Sequence, residues 1–183
     1  MSEKIYYNLG KLQEGEIIWN KVDGTGKIIN TEYDKGYKPK CSINDNSDII
    51  EVHCSGKHNF YNIGKVKENS VEWSKKGTKY DEGRNPSVSL NNNNRVVEIH
   101  QRNSSTYFWP PSKAGYEKIK SFNQYFRFGN FNGKSIEWRD KEKGTEFTSA
   151  SGADVCINNC ENFDIGIAKG DFYYKGKNKY ASI

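Results

Sequence analysis

The stretch Tyr61-Asn62-Ile63-Gly64-Lys65, followed by Val71-Glu72-Trp73, is written three times along the chain. An earlier copy reads Tyr7-Asn8-Leu9-Gly10-Lys11 and Ile17-Ile18-Trp19. A later and looser one reads Phe126-Arg127-Phe128-Gly129-Asn130 and Ile136-Glu137-Trp138. Two copies continue with an aromatic–Asp pair (Tyr33-Asp34, Tyr80-Asp81) and then a proline-led run, Pro39-Lys40-Cys41-Ser42-Ile43 and Pro86-Ser87-Val88-Ser89-Leu90. They close on Ile49-Ile50-Glu51-Val52-His53 and Val96-Val97-Glu98-Ile99-His100. Self-similarity at about 45–60 residues marks a repeat architecture. A unit this thin cannot bury its own apolar face and must lean on its neighbours.

Tyr7 to Tyr61 and Trp19 to Trp73 are both 54 positions apart, whereas Tyr33 to Tyr80 and His53 to His100 are 47 apart. The first copy therefore carries seven extra residues (54 − 47) after its tryptophan, around Val22 to Lys27. A loop insertion is the least costly way to lengthen a unit. The third copy has drifted. Thr148 replaces the Asp, Ala153 the Pro, and Gly166 and Ala168 are aligned with the Glu and His. Phe172-Tyr173-Tyr174-Lys175-Gly176-Lys177 opens a partial fourth copy.

Apolar residues alternate with period two inside each copy, which predicts strands with alternate side chains inside. Asn44-Asp45-Asn46 and Asn91-Asn92-Asn93-Asn94 supply turns, because these side chains tolerate positive φ. Only Ala114 to Phe122 suggests a turn or two of helix. The expected fold is all-β: one domain over residues 1–183, with repeats at 5–56, 58–103 and 125–170. An inserted loop, 104–124, and the fourth start at 172–183 complete it. Four-stranded units of this layout favour a propeller-like arrangement, with a β-trefoil or β-prism of pseudo-threefold symmetry as alternatives. About three units do not close a propeller, so the chain is expected either to assemble with copies of itself or to fold as a threefold body.

Hydrophobic content of 34% and mean hydropathy of −0.94 are low for a folded chain. Aromatic content of 14% argues against disorder, since disordered chains are poor in aromatics. Net charge is +5, from 28 Lys+Arg and 23 Asp+Glu. The lysines are scattered through turns rather than gathered in a stripe, which speaks against nucleic acid. No apolar run approaches 18 residues and the start lacks an apolar h-region, so a soluble chain is expected, cytoplasmic or released without a Sec signal, without membrane insertion. The four cysteines Cys41, Cys54, Cys156 and Cys160 match no zinc pattern. They read as reduced strand residues, with a cross-strand bridge between Cys156 and Cys160 left open.

No H-E-x-x-H, G-x-S-x-G or phosphate loop occurs. His53 and His100 occupy the same repeat position, whereas a catalytic site needs one set of groups. The chain is read as a non-enzyme with no cofactor and no metal. The repeated tryptophans Trp19, Trp73 and Trp138 are read as structural, because the third copy keeps its tryptophan and loses its polar residues. The polar set Tyr33, Asp34, Glu51, His53 and its counterpart Tyr80, Asp81, Glu98, His100 remains for ligand binding, joined by Trp109 at the tip of the insert. The Glu-x-His pair reads equally as an inter-sheet hydrogen-bond pair.

In layout these tandem units resemble the lectin-type propellers, both tachylectin-like and bacterial fucose-binding. The resemblance covers nearly the full length and rests on repeat order rather than on a diagnostic motif. It implies carbohydrate recognition and self-assembly. The expected function is therefore a non-catalytic glycan-binding repeat protein with several weak equivalent sites, acting as a homo-oligomer on glycans or glycoconjugates. The alternatives are a self-assembling or protein-interaction module and a toxin-complex accessory component.

Overall fold

The computed structural model describes residues 3–108, 118–139, 144–149, 152–160 and 163–168, with backbone alone at 103–108, 118–122, 147–149, 152 and 163–168. These residues form strands and turns, with no helix among them. The first unit opens with β1 (Lys4–Tyr7), β2 (Gly10–Gln13), β3 (Glu16–Trp19) and β4 (Thr31–Lys35). The sheet that follows is β5 (Tyr37–Ile43), β6 (Asp48–Ser55), β7 (His58–Val66) and β8 (Val71–Glu82), paired antiparallel in that order. A second sheet has β9 (Arg84–Leu90), β10 (Arg95–Phe108), β11 (Lys118–Phe131) and β12 (Ile136–Trp138), with β13 (Thr145–Ser149) also on β11. β14 (Gly152–Ile157) and β15 (Phe163–Ala168) pair as a hairpin.

Each sheet is thus shared. The closing hairpin of one repeat, β5–β6 or β9–β10, takes the opening hairpin of the next, β7–β8 or β11–β12. Sharing strands across repeat boundaries leaves fewer unpaired edges than self-contained units would.

The three opening hairpins keep one register. Gly10 pairs with Trp19, Gly64 with Trp73 and Gly129 with Trp138. The motif needs this glycine because the tryptophan ring lies across it. A Cβ on Gly64 would stand 2.8 Å from Glu72 O and 3.0 Å from Trp73 Cε3, and one on Gly129 would stand 3.0 Å from Trp138 Cε3. Cross-strand aromatics that cover glycines pin strand register.

A shared irregularity follows. Ile5 pairs with Asp34 and Tyr6 with Glu32, so Tyr33 is skipped. Asn59 pairs with Asp81 and Phe60 with Lys79, skipping Tyr80. Gln124 pairs with Thr148 and Tyr125 with Glu146, skipping Phe147. The aromatic–Asp motif is therefore a β-bulge, which re-aims the side chain it leaves unpaired.

The closing hairpins stack. Leu90 N donates to Ser42 Oγ at 2.9 Å, and one unit later Ile157 N donates to Ser89 Oγ at 3.1 Å. Their turns are stitched together: Asp45 N donates to Asn92 Oδ1 at 2.8 Å, and Asn92 N to Asn159 Oδ1 at 3.0 Å. Ser47 and Asn94 take the positive φ of these turns, 63° and 60°, as the Asx- and Ser-rich runs predict. The main core fills the space between the four-stranded and five-stranded sheets, with Ile50, Val52, Tyr61 and Ile63 against Val88, Leu90, Val96, Phe131 and Ile136. The other face of the second sheet buries Val97 and Ile99 against Val155. Ring closure is not seen among the described residues.

Four expectations change. The insert is not a plain loop: β10 runs on to Phe108 and β11 begins at Lys118, so residues 118–122 are strand rather than helical turn. Lys118-Ile119-Lys120 continues the period-two alternation of β11. In the third copy Val155 pairs with Ile165 as Val88 pairs with Glu98. Ile165, not Gly166, thus holds the Glu position. Trp19 is 38% exposed instead of core, because no strand lies beside β2 among the described residues as β6 lies beside β7. All four cysteines are free, so Cys156 and Cys160 do not pair. Residues 172–177 and Trp109 lie outside the described residues.

Candidate functional site

Both predicted polar sets come together, each bridging two stacked layers. In the second set, the β8 bulge aims Tyr80 across to β10, where its hydroxyl donates to Glu98 Oε1 at 2.7 Å. His100 Nδ1 faces Glu98 Oε2 at 2.9 Å, and His100 Nε2 accepts from Arg102 Nε at 3.3 Å. This assigns the ring proton to Nδ1, donated to Glu98. Asp81 lies 3.5 Å from both His100 Nε2 and Arg127 Nη1 and also pairs with Arg102. Arg127 covers the Trp138 ring at 4.8 Å. Glu98 and His100 are fully buried (0% exposed). Burial, then Glu98, raises the Tyr80 hydroxyl pKa far above its ordinary value, so it stays a donor. Opposed charges and these hydrogen bonds make the cluster an inter-sheet lock, with Glu98 and His100 out of contact with solvent.

The first set has the same plan with fewer partners. His53 Nδ1 lies 3.1 Å from Glu51 Oε2, and Asn62 Nδ2 donates to Glu51 Oε2 at 2.8 Å and to Asp34 Oδ2 at 2.9 Å. Asn62 stands where Arg127 stands one unit later. His53 Nε2 is 4.0 Å from Asp34. Glu51 is 2% exposed, yet its Oε1 has no partner. Burial raises its pKa, against the lowering effects of His53, Tyr33 and Asn62. Burial, followed by Glu51, pushes the Tyr33 hydroxyl up as well.

Glu51 lines a groove of about 400 Å³ together with Tyr7, Asn8, Tyr33, Cys41 and Trp73. Tyr33 and Trp73 stack at 4.9 Å and 14°, and Tyr7 meets both rings edge-on at 5.7 and 6.1 Å. Two further polar atoms of the lining residues are buried without partners, Asn8 Nδ2 and Trp73 Nε1. The equivalent space one unit later is solid. Ile50 and Val52 from β6 fill it against Val88 and Leu90, the counterparts of Cys41 and Ile43. Leu90 is 4% exposed and Ile43 is 53%. β1 and β2 pair only with β4 and β3; among the described residues no strand flanks their other edge, as β6 flanks β7, to supply the counterparts of Ile50 and Val52, so the groove stays open.

Sequence reasoning missed Tyr7, Asn8 and Asn62, which sit inside the quoted repeat motif. It also missed Arg102 and Arg127, which depart from the repeat. Those departures were the available signal: Ser55 and Asn62 hold the same places in the earlier copy. Among the described residues no group of three or more His, Cys, Asp or Glu side chains is placed to hold a metal ion. No helix of the described residues is long and apolar enough to cross a membrane. No family model, no curated protein and no solved structure matches this chain.

Proposed function

We propose that the chain is a non-catalytic carbohydrate-binding protein whose site is the first-unit groove. The observation that carries this reading is the unmet hydrogen-bonding capacity there: one acceptor, Glu51 Oε1, and two donors, Asn8 Nδ2 and Trp73 Nε1, beside three aromatic rings. Buried polar groups without partners are costly, and a ligand that supplies them recovers that cost. A sugar hydroxyl is both donor and acceptor, and the C–H face of a sugar ring packs on an aromatic ring. Pockets of this size, mostly apolar with a few placed polar groups, suit small ligands. The several equivalent sites of the earlier expectation reduce to one among the described residues, since Tyr80, Asp81, Glu98 and His100 are packed away as a lock. The stacked inner hairpins β5–β6, β9–β10 and β14–β15 favour a propeller-like arrangement over a trefoil.

A glycan array followed by calorimetric titration of the best hit tests the reading. Binding that weakens about tenfold on Glu51→Gln or Asn8→Ala supports it, one good hydrogen bond to a charged group contributing roughly 1.5 kcal/mol. Absence of any hit contradicts it.

A second reading, self-association, is favoured by one observation. Leu12, Ile17 and Ile18 on β2–β3 are 77%, 55% and 50% exposed, whereas Val71 and Ile136, the counterparts of Ile17, are buried. Apolar patches rimmed by polar residues mark interaction surfaces. Sedimentation at several concentrations, with Ile17→Lys as the variant, separates monomer from oligomer.

A further inference from the structure

Away from the groove, a cavity of about 240 Å³ opens at the opposite end of β6, lined by Lys57, Glu82, Gly83, Arg84, Gln101 and Arg102. Five residues, Val52 to Gly56, separate Glu51 from Lys57, which lies in the turn after β6 ends at Ser55. Three of the six lining residues are cationic and one is acidic. Lys57 lies 3.4 Å from Glu82, and Arg102 is committed to Asp81 behind the wall. Arg84 is left as a guanidinium with no carboxylate in ion-pair distance among the described residues. The cations are not part of the repeat: one unit earlier, Tyr37, Cys54 and Ser55 stand where Arg84, Gln101 and Arg102 stand. The fold therefore does not require them, since the first unit builds the same strands without them.

We propose that this cavity binds an oxyanion, a sulfate or phosphate group, with Arg84 as its principal ligand and Lys57 and Arg102 as the flanking charges. A guanidinium presents paired N–H donors that match two oxygens of a tetrahedral anion. Arg102 is held for this by its Asp81 pair and by the Tyr125 ring, 5.2 Å from its guanidinium carbon. The groove differs in kind. Its lining is mostly apolar and aromatic with one carboxylate, Glu51, and one cation, Lys40, so it has no cluster of cations like that of the cavity.

The test titrates the full chain with sodium sulfate and with sodium phosphate at ionic strength held constant by chloride, following backbone amide shifts. The expected result is saturable shifts at Lys57, Gly83 and Arg84, weakened about tenfold by Arg84→Gln and unaltered by Lys134→Ala, an exposed lysine in the β11–β12 turn. Arg84 is exposed, so its replacement leaves the fold intact. A linear response without saturation, or equal binding by Arg84→Gln, overturns the proposal. Repeating the titration with a sulfated oligosaccharide and its unsulfated parent tells a glycan source from a free ion. Tighter binding of the sulfated form assigns the anion to a glycan, and equal behaviour to inorganic sulfate assigns it to the free ion. Neither arm depends on binding in the groove.

Discussion

The Tyr80 hydroxyl reaches across two stacked sheets to Glu98 Oε1 at 2.7 Å, while Oε1 of Glu51, the repeat counterpart of Glu98, makes no close hydrogen bond. One plan, repeated, has two outcomes. Where the preceding sheet supplies apolar filling, the polar set becomes a lock. Where that filling is missing, it opens onto a groove.

The lock makes Tyr80 more valuable to stability than Tyr33. Tyr80→Phe removes the shorter of two hydrogen bonds to buried Glu98 Oε1, leaving it His100 Nδ1 at 3.2 Å, and is expected to cost about 1–3 kcal/mol. Tyr33→Phe is expected to cost less, since no close hydrogen bond joins Tyr33 to Glu51 Oε1. Urea denaturation of the two variants measures the difference.

Glu51 sets a pH dependence. Its folded pKa is raised from 4.5, first by burial, so between the unfolded and folded values the folded chain binds more protons than the unfolded one. Stability from this group therefore falls as pH rises above about 4.5, and the penalty is absent below it. Glu51→Gln is expected to gain stability over the parent at neutral pH, with the advantage shrinking toward pH 4. Denaturation midpoints across that range check the sign.

The glycine–tryptophan pairs predict an intolerant position. Gly64→Ala places a Cβ 2.8 Å from Glu72 O and 2.9 Å from Val71 Cγ1, and overpacking of this kind costs about 1–3 kcal/mol. Gly56→Ala, with open space around it and a φ of 62°, is expected to cost less, from backbone strain alone. Thermal melts of both variants compare a blocked site with a strained one.

The stitched turns predict that Asn92 matters beyond its own hairpin. Its Oδ1 accepts from Asp45 N and its backbone N–H donates to Asn159 Oδ1, linking three repeats. Asn92→Ala removes the first bond outright and is expected to cost about 1 kcal/mol. Hydrogen exchange should quicken at Asp45 and much less at Asn59, toward the far end of the β6–β7 ladder.

Much of this fold was legible before any coordinates. Tyr-x-x-Gly and Ile-x-Trp give their register away because glycine and tryptophan must face each other. The 47-residue spacing of Tyr33-Asp34 and Glu51-x-His53 to their counterparts marked both polar sets. What could not be read was which set would be sealed, because that depends on Ile50 and Val52, residues of the neighbouring sheet rather than of the site. Arg127 and Arg102 were hidden for a related reason: they replace Asn62 and Ser55 and so break the repeat that guided the reading. The long β10–β11 hairpin escaped because Ala114 to Phe122 was weighed for helix while Lys118-Ile119-Lys120 was already alternating.

Trp73 and Trp138 hold the same repeat position, and both indole N–H groups are buried without partners. A nitrogen–proton correlation spectrum recorded during titration with the best glycan ligand reads them separately. The Trp73 indole signal is expected to move and saturate with the ligand while that of Trp138 stays in place. Movement of Trp138 alone, or of neither while the sugar binds, would contradict it.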